Sequence, residues 1–418
     1  MKLTTACCFT ILLMISSAAA QQSAPQSDEA CGVARSTTVN WSQFHFDACH
    51  SGYNPYETIL SRANVVNLMV DWTFESSDDA FTSPAVVGGV VYFAGSGDGY
   101  VYAVDASTGN ERWQNKCEIY HFSVGPPAVA NGRVFVACEN SIGAFSAATG
   151  DLLWEVADPF RDIPLPEVTV SGGVVYVASY HMGNFSAQHL YALDASTGAV
   201  LWTISGEQWG ITTPAVANGL VYMGCETGTL CAFDAATGAL RWKYTAEGSD
   251  SISAGAVAGG VIYFESVSPI GHMGNVDVYA LNATTGAFLW RHPVTATLKD
   301  TGDVVLSTPA VANGIAYFQI RYNATERGHV YAIDASTGAF RWQDDFTGFL
   351  GSPLVANGVV YFGRWDSDWG IVYAVDSETG ASLWQYTFDY PAVPGAVANG
   401  MLYVGTPDYV YAFHLPGQ

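Results

Sequence analysis

The stretch that decides the fold is VYAVDASTGNERW at 101–113. Val-Tyr-Ala-Val alternates with period two and is rich in β-formers, so it reads as a strand. Asp-Ala-Ser-Thr-Gly reads as a turn, in which Asp accepts backbone N–H groups and Gly takes the left-handed position. Arg-Trp then opens another strand. The string recurs as LYALDASTGAVLW (190–202), LCAFDAATGALRW (230–242), VYALNATTGAFLW (278–290), VYAIDASTGAFRW (330–342) and VYAVDSETGASLW (372–384), with a weaker copy, IGAFSAATGDLLW, at 142–154. Each copy follows a block such as TPAVANGLVYMG (213–224), where Asn-Gly or Gly-Gly breaks an apolar run and signals a two-residue hairpin. Four strands per repeat of this length is the pattern of a propeller blade.

Counting the signals gives the blade number. The repeat tryptophans are Trp72, Trp113, Trp154, Trp202, Trp242, Trp290, Trp342 and Trp384. The hairpin turns are Gly88-Gly89, Asn131-Gly132, Gly172-Gly173, Asn218-Gly219, Gly259-Gly260, Asn313-Gly314, Asn357-Gly358 and Asn399-Gly400. Both sets have eight members, but Trp72 precedes every hairpin and the last unit, 410–418, has no Trp of its own. The expected fold is therefore an all-β, eight-bladed propeller of four-stranded antiparallel blades. Met69–Phe74 supplies the outer strand of the last blade, which removes an exposed edge.

Composition agrees and excludes several partners. Hydrophobic residues make up 49% of the 418 residues and charged residues only 13%, with 43 glycines, as many short strands and tight turns require. The net charge of −23, from 15 basic and 38 acidic residues, argues against nucleic acid and against an anionic membrane surface. Residues 1–20 read as a signal peptide: Lys2, an apolar run from Phe9 to Ile15 too short to span a bilayer, and Ala18-Ala19-Ala20 as the cleavage region. The expected domains are that signal, a leader at 21–67 packing on the propeller, and the propeller at 68–418. A secreted or periplasmic monomer without a membrane span follows.

Six cysteines remain after the signal, an even number, so disulfides are expected in an oxidising compartment. Proximity pairs Cys31 with Cys49, Cys117 with Cys138, and Cys225 with Cys231, among fifteen pairings possible in principle. There is no Cys-x-x-Cys-His, so covalent haem is not signalled.

Ala-x-Asp-x-x-Thr-Gly-x-x-x-Trp resembles the tryptophan-docking motif of the pyrroloquinoline-quinone (PQQ) repeat propellers, over about residues 68–415. The resemblance implies that each Trp packs flat on the Ala and Gly of a neighbouring blade. It also implies two kinds of function. One is a non-catalytic scaffold that engages a protein partner or small-molecule ligand on its loop face, like the PQQ-repeat outer-membrane assembly lipoproteins. The other is a periplasmic dehydrogenase oxidising an alcohol or sugar with PQQ and Ca²⁺. Those dehydrogenases hold the quinone over a Trp beside an adjacent-Cys disulfide and a Glu/Asn/Asp calcium set. This chain has no Cys-Cys pair after the signal and no segment that aligns with the calcium set. The segment NWSQFHFDACHSGYNPYETILSRANVVNL (40–68) is similar to a leader of exported members, and its aromatics are expected to cover the ring near the closure point.

Site candidates are residues that depart from the repeat in the loops. Trp209, Trp365 and Trp369, and Trp41 before the propeller, are stacking platforms or plugs in equal measure. For a quinone, Trp209 or Trp365 would lie beneath the ring, with Arg364, Arg321, Lys299, His121 and Arg161 as polar neighbours and Asp366 or Asp300 as base. His181-Met182-Gly183-Asn184 recurs as His272-Met273-Gly274-Asn275, and Asp366 pairs with Asp368 as Asp-x-Asp. His181 and His272 suit a soft metal and the Asp pair a hard one; an inherited turn and solvated loop charges are the plainer readings. The first expectation is a binding scaffold and the second the dehydrogenase.

Overall fold

The computed structural model describes residues 40–75, 82–95, 97–117, 125–138, 140–157, 167–180, 188–206, 212–268, 275–294, 304–322, 327–365 and 369–417. Eight antiparallel four-stranded units follow one another along the chain, some with short additions. Blade four is representative, with strands Ala215–Ala217, Leu220–Glu226, Thr229–Asp234 and Leu240–Thr245 from the axis outward. Between its first two strands Asn218 and Gly219 have φ of 52° and 74°, the pair of left-handed positions such a hairpin needs. Blade eight closes as expected: Met69–Glu75 pairs antiparallel with Tyr409–His414.

Seams between blades are apolar and repetitive. Trp72 donates its indole N–H to the carbonyl of Ala106 and lies over Gly109, where an added Cβ would meet the ring at 2.7 Å. Trp113, Trp154, Trp202, Trp242, Trp290 and Trp342 bond the next blade's turn in the same way. A Tyr on the second strand reaches the same carbonyl, as Tyr222 does at Ala283. The residue before each Trp is bulged out of the ladder; where it is Arg, at 112, 241 and 341, it returns to the Asp of its own turn.

The leader makes one circuit of the axis. Trp41 exchanges two main-chain hydrogen bonds with Val86 of blade one, and Ser42 accepts from Val129 of blade two. The Gln43 side chain both accepts from and donates to Val170 of blade three. Ala48, Cys49, Ser51 and Gly52 then accept the N–H groups of Val216, Val257, Val311 and Val355 in blades four to seven. Asn54 donates to the carbonyl of Val397 in blade eight at 2.7 Å. The eight valines occupy one register on the innermost strands, whose axial edge would otherwise lack partners. Two residues earlier the same edge carries Pro84, Pro127, Pro214, Pro309 and Pro353 in five blades, where a missing N–H costs nothing. Trp41 is fully buried, so it packs the axis. Leader residues also touch the hairpin turns, Asn40 at Gly88, Tyr53 at Asn313 and Glu57 at Gly400, which places the leader on the turn face.

Cys117–Cys138 and Cys225–Cys231 are disulfides, and Cys49 is disulfide-bonded to a residue outside the described set. No helix among the described residues is long and apolar enough to cross a membrane.

Candidate functional site

Opposite the leader, the blades differ from one another, and among the described residues the short added strands fall on blades five to seven. Their second strands are Val261–Ser268, Ile315–Tyr322 and Val359–Trp365. Each is met at its loop-face end by an extra short strand, Ser251–Ile252, Val304–Leu306 and Phe349–Leu350 respectively. The wall around the axis is built up on this side.

One register carries the chemistry. Two residues beyond the second-strand Tyr or Phe stand Ala94, Ala137, Ala178, Gly224, Gly363 and Gly405 in six blades. The site is tight: a Cβ on Gly363 would lie 2.3 Å from the carbonyl of Ala392 in the next blade. Blades five and six instead place Glu265 and Gln319 there, 0% and 1% exposed. Their backbone is fixed by a repeated device, a hydroxyl twelve residues earlier accepting the register's N–H: Ser253 for Glu265, Ser307 for Gln319, as Thr212 does for Gly224.

Alternation assigns each side chain to a seam. Tyr263 bonds Ala335 of blade six, so Glu265 turns toward blade six; its Oε2 accepts the Ser307 N–H at 3.1 Å and Oε1 has no hydrogen-bond partner. Burial drives the Glu265 carboxyl well above the usual carboxylate range. Tyr317 bonds Ser377 of blade seven, so Gln319 and Arg321 turn toward blade seven. Neither amide atom of Gln319 has a partner. Arg364, on the facing side of blade seven, stacks its guanidinium 4.7 Å from the Trp369 ring centre.

Paired polar groups flank these. Arg291 bonds Asp277 at 2.7 Å and His329 bonds Asp345 at 2.8 Å, at the loop-face ends of blades five and six. Across the axis, Thr213 donates to Glu167, whose carboxyl is raised by burial.

Of the expected residues, the structure places Arg321 and Arg364 on the second strands of neighbouring blades six and seven, not in loops, and Trp365 at the end of the same blade-seven strand. Arg321 is 5% exposed. Trp209, His121, Arg161, His181, His272, Lys299, Asp300, Asp366 and Asp368 lie outside the described residues. Glu265 and Gln319 do not stand out among the loop departures, because each is a single polar residue inside a strand. Stacking the second strands of the repeats would have exposed both.

The described donors do not build a calcium site. Calcium needs six to eight oxygens converging on one point, whereas Glu265 and Gln319 turn into different seams. Among the described residues the one group of three metal-ligand types is Cys117, Cys138 and Glu155, and its two sulfurs are joined to each other.

Comparison with known proteins places the chain. The PQQ-repeat family described as outer membrane protein assembly factor BamB matches residues 64–177 and 138–386. The chain is 28% identical to the tetrathionate hydrolase of Acidithiobacillus ferrooxidans over 298 residues, 67% of this chain and 53% of that one. It is 25% identical to the lupanine 17-hydroxylase [cytochrome c] of a Pseudomonas species over 401 residues, 82% of this chain and 53% of that one. It spans about half the length of these curated relatives. A quinohemoprotein alcohol dehydrogenase from Pseudomonas putida superimposes with a TM-score of 0.69 at 17% identity, covering 91% of this chain and 81% of that one. BamB from Moraxella catarrhalis superimposes with 0.63 at 18% identity, covering 83% and 100%. At these identities the superpositions show the fold alone.

Proposed function

Since the chain belongs to the PQQ-repeat β-propeller family, with relatives that include assembly factors and a quinohemoprotein alcohol dehydrogenase, we propose that it is an exported binding propeller that engages a ligand or partner on its loop face. The observation that carries this reading is the leader's circuit. Hydrogen bonds from residues 41–54 to all eight innermost strands occupy the axis from the turn face. Recognition is thereby directed to the opposite face, where blades five to seven carry their buried polar groups. A periplasmic or secreted location agrees with a signal at residues 1–20 and with family members described as outer membrane protein assembly factors.

Binding requires a preformed surface, and this fold supplies one. The second strands are held by seams on both sides, so side chains projecting from them are ordered before a ligand arrives, which lowers the entropy cost of association. Arg364 and Gln319 offer N–H donors, and Glu265 has one oxygen, Oε1, without a partner.

A dehydrogenase is the second reading, favoured by 26% identity over 247 residues to the quinohemoprotein alcohol dehydrogenase of Comamonas testosteroni. The described residues do not support a calcium–quinone centre, so no catalytic step is derived. Adding PQQ and Ca²⁺ to the purified protein, with a panel of alcohols and a redox dye, separates the two. The binding reading expects no dye reduction; turnover with stoichiometric quinone overturns it.

A further inference from the structure

The seam between blades six and seven has a charge unlike that of the chain around it. The protein carries −23 overall and has only 15 basic residues, yet two guanidiniums face this one seam. Arg321 extends from blade six, four residues beyond Tyr317 on the same side of its strand, with Tyr317 bonded to Ser377 of blade seven. Arg364 extends from blade seven on the side of Val360 and Phe362, which pack against Tyr317 in the same apolar cluster. The registers match: Tyr317 corresponds to Tyr361 and Gln319 to Gly363, so Arg364 stands at a height between Gln319 and Arg321.

Gln319 and Arg364 have unfilled hydrogen-bonding capacity there. Gln319 is 1% exposed, and both its amide nitrogen and its amide oxygen are buried without a partner. The Nε of Arg364 is buried and without a partner as well, although its guanidinium stacks on Trp369. Buried donors left unpaired are destabilising, so such groups mark a missing partner. The acidic side chain facing the seam from the described residues is Asp344, two residues beyond Trp342 on the outer strand of blade six. Its carboxyl is raised by burial, and no hydrogen bond to a guanidinium counters that. Planar guanidinium donors together with an amide N–H suit an anion with two or more oxygens, which can accept from several of them at once.

We propose that the seam between blades six and seven binds a small oxyanion or carboxylate, held by Arg364 and Gln319, with the Arg321 guanidinium adding positive charge to the same seam. The proposal rests on the loop-face binding reading and names its ligand class. A protein that binds other ligands on that face but no anion keeps the first reading and loses this one.

Calorimetric titration with sodium sulfate and with sodium succinate, at constant ionic strength set by NaCl, tests it. The expected result is saturable one-to-one binding of at least one of them, with a dissociation constant below about 1 mM. Arg364→Gln, at a partly exposed position, should weaken it about tenfold or more, the usual range for a charge-assisted hydrogen bond. Gln319→Glu, which places a negative charge in the seam, should abolish it. Arg62→Gln, on the turn face, should leave it unchanged. Heat no larger than in the NaCl control overturns the proposal, as does binding that survives Arg364→Gln. Binding seen only in Asp366→Asn/Asp368→Asn would show that the guanidiniums are matched within the chain, and overturns it too. A parallel titration with PQQ distinguishes the source of the carboxylate: quinone binding without sulfate or succinate binding would assign the arginines to a cofactor instead.

Discussion

The indole N–H of Trp384 donates to the carbonyl of Leu68 at 3.2 Å, across 316 residues of chain. The other seven repeat tryptophans bond the turn between the third and outer strands of the following blade. Blade eight has no such turn, because its third strand is Tyr409–His414 and its outer strand is Met69–Glu75. Leu68, immediately before that outer strand, supplies the carbonyl instead. The last seam is therefore built like the others, although its two sides come from opposite ends of the sequence.

If that seam is equivalent, Trp384→Ala should cost about 3–5 kcal/mol, the usual range for removing a large buried aromatic. Trp202→Ala, at an ordinary seam, should cost about as much. Urea unfolding of both variants checks this. A loss under about 1 kcal/mol for Trp384→Ala alone would mean that the ring is held shut elsewhere.

Two glycines separate a backbone requirement from a packing one. Gly88 has φ of +61° with open space where a Cβ would stand, whereas Gly109 has φ of +69° and the Trp72 ring at 2.7 Å. Gly88→Ala should cost about 1 kcal/mol from backbone strain alone. Gly109→Ala should cost clearly more and shift the fluorescence of Trp72. Equal costs for the two would contradict the stacking role.

The leader's last anchor is Asn54, fully buried, which donates to Val397 and accepts the Tyr56 N–H. Asn54→Ala should destabilise by about 1–3 kcal/mol, because it leaves the Val397 carbonyl without its donor. Amide exchange read by mass spectrometry should then quicken in residues 41–54 ahead of the blades. Uniform exchange throughout would mean that the leader and the ring unfold as one unit.

The leader also sets an acid limit. His45 and His50 are fully buried, and burial lowers them from 6.5 to about 4 and about 3. Both are neutral in the folded chain and take up protons on unfolding below about pH 6.5. Their contribution is whole above that value and falls as pH drops, by about 1.4 kcal/mol per pH unit for each imidazole. The fall ends where each protonates in place, near 4 and 3. Thermal melts of His50→Gln from pH 7 to 4 should show a shallower decline than the parent. An identical slope would exclude the imidazole as its source.

Glu265 acts in the opposite sense. Its folded carboxyl is raised above 4.5, so its contribution is whole below that value and lost as pH rises toward the folded value. Glu265→Gln keeps the shape and removes the titration. It should match the parent near pH 4 and exceed it in melting temperature at pH 7.5. A lower melting temperature at pH 7.5 would show that the carboxylate is charged there and held by a cation.

Repetition is why the architecture was legible. Eight tryptophans and eight hairpins, offset by one, specify both the blade count and the donor of the closing strand, because each signal reports a local backbone requirement. The leader's path was not legible: Gln43 and Asn54 bond the axis through side-chain amides, and nothing in 40–68 repeats. The site was half legible. Arg321 and Arg364 stand out as cations in a chain poor in them, but loops were given weight that belongs to strands. Glu265 and Gln319 are conspicuous only once the repeats are stacked, because a polar residue inside a strand acquires meaning from the alanines and glycines at its register.

In the proposed binding propeller the turn face is occupied by the chain's own leader and the loop face is left for recognition. The most direct measurement titrates the purified protein with PQQ in the presence of Ca²⁺, following quinone absorbance and the reduction of a dye by alcohols and sugars. A binding propeller should show no stoichiometric quinone and no reduction above the protein-free rate. One quinone per chain with substrate-dependent dye reduction would contradict it.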